Sequence, residues 1–126
     1  MTSVPFRVKK VAGGWAEADG LLVLDGQLLC FQFQTKDSVF GLIKTAVREV
    51  KVELHRVAEV RFKGKMLGGG VLSVRLADMK AGEGIPGQVA GVVELAVTKE
   101  HATAAQDLAA SVNLEAAEAR LRRTVG

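Results

Sequence analysis

The chain is 126 residues long, 48% hydrophobic and 25% charged, which suits one domain around one core. Its single cysteine, Cys30, excludes an internal disulfide, and a formal net charge of +3 is too small to mark a nucleic-acid binder by itself. No stretch approaches the roughly 20 apolar residues that span a bilayer, and the N-terminal residues lack the apolar run of a signal peptide, so a cytoplasmic location is expected.

"PFRVKKV" (5–11) reads as a first strand. In "GLLVLDGQLLCFQF" (20–33) two apolar runs flank Asp25-Gly26. That pair suits a type I′ turn, Leu24-Asp25-Gly26-Gln27, between strands near 17–24 and 27–34. Leu29, Phe31 and Phe33 then share one face, with Leu28, Cys30 and Gln32 on the other. Cys30 beside two phenylalanines reads as a small packing residue rather than a nucleophile.

The connection "TKDSVFGLIKTAVREV" (35–50) is unusual for a loop, because Val39, Phe40, Leu42 and Ile43 are apolar. Folded back they would join the core; exposed, they would mark an interface, since exposed apolar tips do so, and these four are therefore the interface candidates. Lys36, Lys44 and Arg48 flank them.

Three runs then alternate with period two: "REVKVELH" (48–55), "VAEVRFKG" (57–64) and "VLSVRLAD" (71–78). Val50, Val52 and Leu54 face inward in the first and His55 outward, Val60 and Phe62 inward in the second, and Leu72, Val74 and Leu76 inward in the third. Between the last two lies "KGKMLGGG". A Walker-type phosphate loop needs Ser or Thr after its lysine and a helix after its glycines; Met66 follows Lys65, and a strand follows Gly70. The glycines therefore serve a hairpin connection. Arg61, Lys63 and Lys65 fall on one strand face, where they suit either lipid headgroups and carboxylates or a solvated face that deters edge pairing.

"DMKAGEGIPGQVAG" (78–91) is a long glycine-rich loop, and "GVVELAVTK" (91–99) a last strand with Val93, Leu95 and Val97 inward and Glu94 outward. The period then becomes helical: Ala102, Ala105, Leu108, Ala109 and Val112 recur at the spacing of one helix face, Thr98 suits an N-cap, and Glu118 stands four residues before Arg122. Asn113 leaves open whether residues 98–123 form one helix or two.

No helix separates consecutive strands, so parallel β-α-β units are excluded. The expected class is mainly β (α+β): a partly open antiparallel β-barrel of six or seven strands, about 5–98, capped by a C-terminal α-helix, about 99–123, in one domain over 1–126. "VREVKVELHRVAEVRFKGKMLGGGVLSVRL" (47–76), with a corner built on Val52, Leu54, Val57 and Val60, resembles the bacterial pleckstrin-homology-like (PH-like) and GRAM-like families. So do "IPGQVAGVVELAV" (85–97) and "AAQDLAASV" (104–112). The resemblance implies a non-enzymatic binding or assembly module with no cofactor. Eukaryotic relatives grip phosphoinositides through a basic first hairpin; here that turn is short and acidic.

Chemistry is otherwise sparse. His55, His101 and Cys30 have no metal-ligand spacing, and no serine sits in G-x-S-x-G. With no tyrosine and with Phe31, Phe33 and Phe62 read as core, Trp15 and Phe6 are candidates for an outer position, and two aromatics make no platform to stack nucleic acid. The expected partner is a second copy or another protein, met by Val39–Ile43 or an open sheet edge. The alternatives are an anionic membrane, contacted by Lys44, Arg48, Arg61, Lys63 and Lys65, or a small apolar ligand inside the barrel. Charge favours the first half for an anionic partner: residues 1–65 hold 11 Lys and Arg against 7 Asp and Glu, and residues 66–126 hold 6 against 7.

Overall fold

Period-two alternation builds seven strands, and the switch to helical period builds one long helix. The computed structural model describes residues 2–11, 16–37 and 46–125. Its strands are β1 (Thr2–Val11), β2 (Ala16–Asp25), β3 (Leu28–Asp37), β4 (Arg48–Glu53), β5 (Val57–Gly64), β6 (Gly70–Leu76) and β7 (Val92–Val97), followed by α1 (Ala102–Val125). Every pairing is antiparallel, in the order β4-β3-β2-β1-β7-β6-β5. The sheet is not closed; β4 and β5 are its two edges, joined in sequence by a 3-10 turn at Leu54–Arg56.

The inward residues of all strands make one core with the buried face of α1. Leu22, Leu29, Phe31, Val60, Leu72, Val74 and Leu95 are essentially sealed from water, together with Leu108 and Val112 of the helix. Each such side chain contributes about 1.5–3 kcal/mol by leaving water. The helix can lie close to the sheet because much of its buried face is alanine: Ala105, Ala109, Ala116 and Ala119.

Several local expectations shift. The first hairpin turns one residue later than Asp25-Gly26. Asp25 pairs with Leu28, so Gly26 and Gln27 are the central pair. Gly26 has φ +60 and Gln27 does not share the positive φ, which is the type II′ arrangement with glycine first. β4 ends at Glu53, because Leu54–Arg56 turns the chain toward β5; His55 sits half-buried in that turn and is not an outward strand residue. Phe6 is a core residue, 5% exposed, not a surface aromatic. Its ring lies over Gly20, where any side chain would meet both the ring and the Gln32 carbonyl.

The 78–91 connection is built rather than slack. Asp78 accepts from the Ala81 N–H at 2.7 Å, Gln88 donates to the Gly82 carbonyl at 2.8 Å and accepts from the Gly91 N–H at 3.0 Å, and Ala81 and Ile85 reach the core.

The helix is single. It is entered through a 3-10 turn at Lys99–His101, where the Thr98 carbonyl accepts the His101 N–H and the Thr98 side chain makes no cap. Asn113 does not break it. Its amide accepts from the Val60 N–H and donates to the Val60 carbonyl, both at 2.8 Å, and Arg120 donates to the Val57 carbonyl at 2.5 Å. The helix thereby occupies backbone groups along the open edge of β5 that a further strand would otherwise seek. Arg122, expected to pair with Glu118, donates instead to Gln27 of the first hairpin turn at 2.9 Å.

Candidate functional site

The β5–β6 hairpin carries the most unusual surface among the described residues. Gly64 pairs with Gly70, and between them the Gly68 N–H donates to Lys65 and the Lys65 N–H to Gly69, both at 3.0 Å. Gly68 (φ +97) and Gly69 (φ +68) adopt backbone that only glycine enters cheaply. Gly69 also lies against the β7–α1 corner, where a β-carbon would stand 2.7 Å from the Val97 carbonyl oxygen. The aliphatic stem of Lys99 crosses Gly68. The glycines serve turning and close packing, and a strand follows them, so no helix N-terminus faces an anion here.

This clamped base holds Met66 and Leu67 outward, at 101% and 95% exposure. Large apolar side chains normally shed most of their exposure on folding. Lys63 and Lys65 flank them, are exposed, and take part in no ion pair among the described residues. Arg61, on the same outer face, is tied to Glu59 at 2.5 Å.

Three surface clefts, of about 640, 620 and 720 Å³, meet at Lys65. They gather Lys9 of β1 and Lys99 of the corner with Arg61, Lys63 and Lys65, against Asp19, Glu94 and Glu100. Arg7 also borders them but is committed elsewhere: it reaches Asp19 at 2.8 Å and Glu17 at 3.6 Å, while Lys36 holds Asp19 at 2.7 Å. Burial pushes the Asp19 carboxyl up, but hydrogen bonds from Lys36 and Arg7 outweigh it and hold the group below the ordinary carboxylate range. Among the described residues of this surface, Lys9, Lys63, Lys65 and Lys99 are the cations left to face a partner.

Of the residues singled out in sequence, Arg61, Lys63 and Lys65 come together here, with Lys65 in the loop rather than on the strand. Arg48 lies apart, on β4 at the other end of the strand order. Val39, Phe40, Leu42, Ile43 and Lys44, like Trp15, lie outside the described residues. Met66, Leu67, Lys9 and Lys99 were not singled out. The signal for the first two was available: two large apolar residues in a hairpin connection have no core position to fill.

Among the described residues no three His, Cys, Asp or Glu side chains cluster as metal ligands. His55 approaches Glu53 at 3.8 Å and His101 approaches Glu100 at 4.0 Å. Cys30 is 4% exposed and stands opposite Val23 on the outer face of the β2–β3 pair; burial first, then Glu49 and Asp25, push its thiol pKa up. No helix among the described residues is long and apolar enough to cross a membrane. Compared with protein-family models, curated proteins and solved structures, the chain gives no match.

Proposed function

We propose that this chain is a non-enzymatic binding module of the PH-like kind that docks reversibly on an anionic membrane surface, with the β5–β6 tip directed into the bilayer interface. One observation carries the reading: Met66 and Leu67 are wholly exposed on a rigidly based loop, beside Lys63 and Lys65, which take part in no ion pair among the described residues. A tip of two residues is small for a stable protein interface, which buries on the order of 1,000 Å². It is well sized for a bilayer interface, where apolar insertion and charge attraction add. Each inserted side chain contributes up to about 2 kcal/mol, and each lysine near an anionic leaflet about 1 kcal/mol. Lys63, Lys65 and Lys99 with Met66 and Leu67 then reach several kcal/mol before the cost of fixing the domain's orientation, which describes a weak, salt-sensitive contact.

Co-sedimentation with vesicles of zwitterionic lipid, with and without anionic lipid, tests this. Binding is expected only with the anionic lipid, falling steeply as salt rises. The double variants Met66→Asp/Leu67→Asp and Lys63→Glu/Lys65→Glu are each expected to weaken it at least tenfold without loss of fold. Anionic-vesicle binding that is absent, or unmoved by both variants, contradicts the reading.

A further inference from the structure

The two edges of the sheet are finished differently. β5 is met by Asn113 and Arg120 of α1. β4 has β3 on one side, and among the described residues no strand pairs on the other. We propose that β4 is a homodimerisation edge, pairing antiparallel with β4 of a second copy about a two-fold axis through Val50.

The direction of the backbone comes first. Leu54 donates its N–H to the Gln27 carbonyl at 3.0 Å, and antiparallel alternation makes Val52, Val50 and Arg48 the residues bonded to β3. The N–H and C=O groups of Glu49, Lys51 and Glu53 therefore face away from β3, toward the position a new strand takes. All three residues are exposed.

Charge then selects the partner and the register. A charged edge ordinarily deters pairing. Here the signs alternate along one face: Glu49, Lys51, Glu53. With the axis at Val50, Glu49 of each copy lies opposite Lys51 of the other, in two hydrogen-bonded pairs, and Val50 meets its own image. With the axis at Lys51, lysine faces lysine and Glu49 faces Glu53. With the axis at Val52, Lys51 faces Glu53, but Val50 would need Leu54, which has already left the strand for the 3-10 turn. The first register pairs Glu49 with Lys51 twice and keeps its whole ladder, residues 48–52, inside the strand, with Glu53 beyond it; a two-fold axis requires this self-complementarity. The ladder is short, so the dimer is expected to dissociate in the micromolar-to-millimolar range.

Sedimentation equilibrium on the full chain, from micromolar to millimolar, tests it with three variants. Lys51→Pro removes an outward N–H while leaving the bonds to β3, and is expected to abolish dimerisation. Lys51→Glu sets Glu49 against glutamate and is expected to weaken the dimer at least tenfold. Glu49→Lys/Lys51→Glu restores opposite signs in this register and is expected to recover wild-type association. If Lys51→Pro does not fold, as circular dichroism would show, the two charge variants carry the test. A wild-type monomer throughout, unchanged association in Lys51→Glu, or no recovery in the double variant overturns the proposal. Vesicle binding by a chain that stays monomeric would overturn it and leave the membrane reading intact.

Discussion

Asn113 shows how one side chain can finish a sheet. It sits in the middle of α1, yet both ends of its amide are spent on Val60, 53 positions away in sequence. Asn113→Ala would leave an N–H and a carbonyl of a partly buried edge without partners. The cost of orphaning such groups is about 1–3 kcal/mol each, so the variant is expected to lose about 2–6 kcal/mol of stability, read as a lower urea midpoint with unchanged slope. Asn113→Asp, which keeps the acceptor and loses the donor, is expected to destabilise as well. An unchanged midpoint in both would show that water serves the β5 edge equally well. In sequence Asn113 could only be read against helix propensity, where it looks like a weak point. Its partner is brought near by folding, and no local pattern encodes that. Phe6, by contrast, was legible: Val4, Phe6 and Val8 recur with period two and form the inward set of β1.

At the scale of elements, periodicity read well wherever one face of a segment is buried. β5 runs over the expected residues, 57–64, and the inward sets of β3, β6 and β7 are the alternating apolar ones. Connections read less well, because turn geometry depends on which residues pair. Asp-Gly announced the first hairpin, but the Asp25–Leu28 pair moved the turn to Gly26-Gln27. In the β5–β6 hairpin the glycines read as turn residues, while Met66 served only to break the phosphate-loop pattern and Leu67 carried no signal that was used. The division of labour in this element gives a prediction. Gly69→Ala forces a strained φ and a clash with the Val97 carbonyl, and is expected to cost about 1–3 kcal/mol. Met66→Ser touches nothing and is expected to stay within about 0.5 kcal/mol of the parent. Thermal or urea unfolding of the two side by side checks this; equal effects would mean the loop is not clamped as described.

At the scale of the whole molecule, the absence of helices between strands dictated an antiparallel sheet, and the single period change after Thr98 placed the helix. Each strand lies beside the last within β1–β4 and within β5–β7; β4 and β5 are consecutive yet stand at opposite edges, and the meeting of β1 with β7 joins the two halves. What the pattern could not give is direction in space. Lys9, Lys65 and Lys99 come from three distant parts of the chain and converge only because β1 adjoins β7 and the β5–β6 loop lies on the β7–α1 corner. The basic surface is therefore a product of topology, which is why a count of charge in the first half of the sequence left out Lys99.

The central claim is that this surface meets the membrane tip first. It is tested most directly by nitroxide labels at Met66→Cys and, as a control, at Leu114→Cys on the exposed side of α1, each in a Cys30→Ala background, with electron paramagnetic resonance immersion depth measured on anionic vesicles. The expected result is a label at position 66 that enters the acyl region, shielded from aqueous relaxation agents, while the label at position 114 stays in water. A label at 66 that remains as accessible as it is without vesicles, in a sample where the protein is bound, would contradict the account.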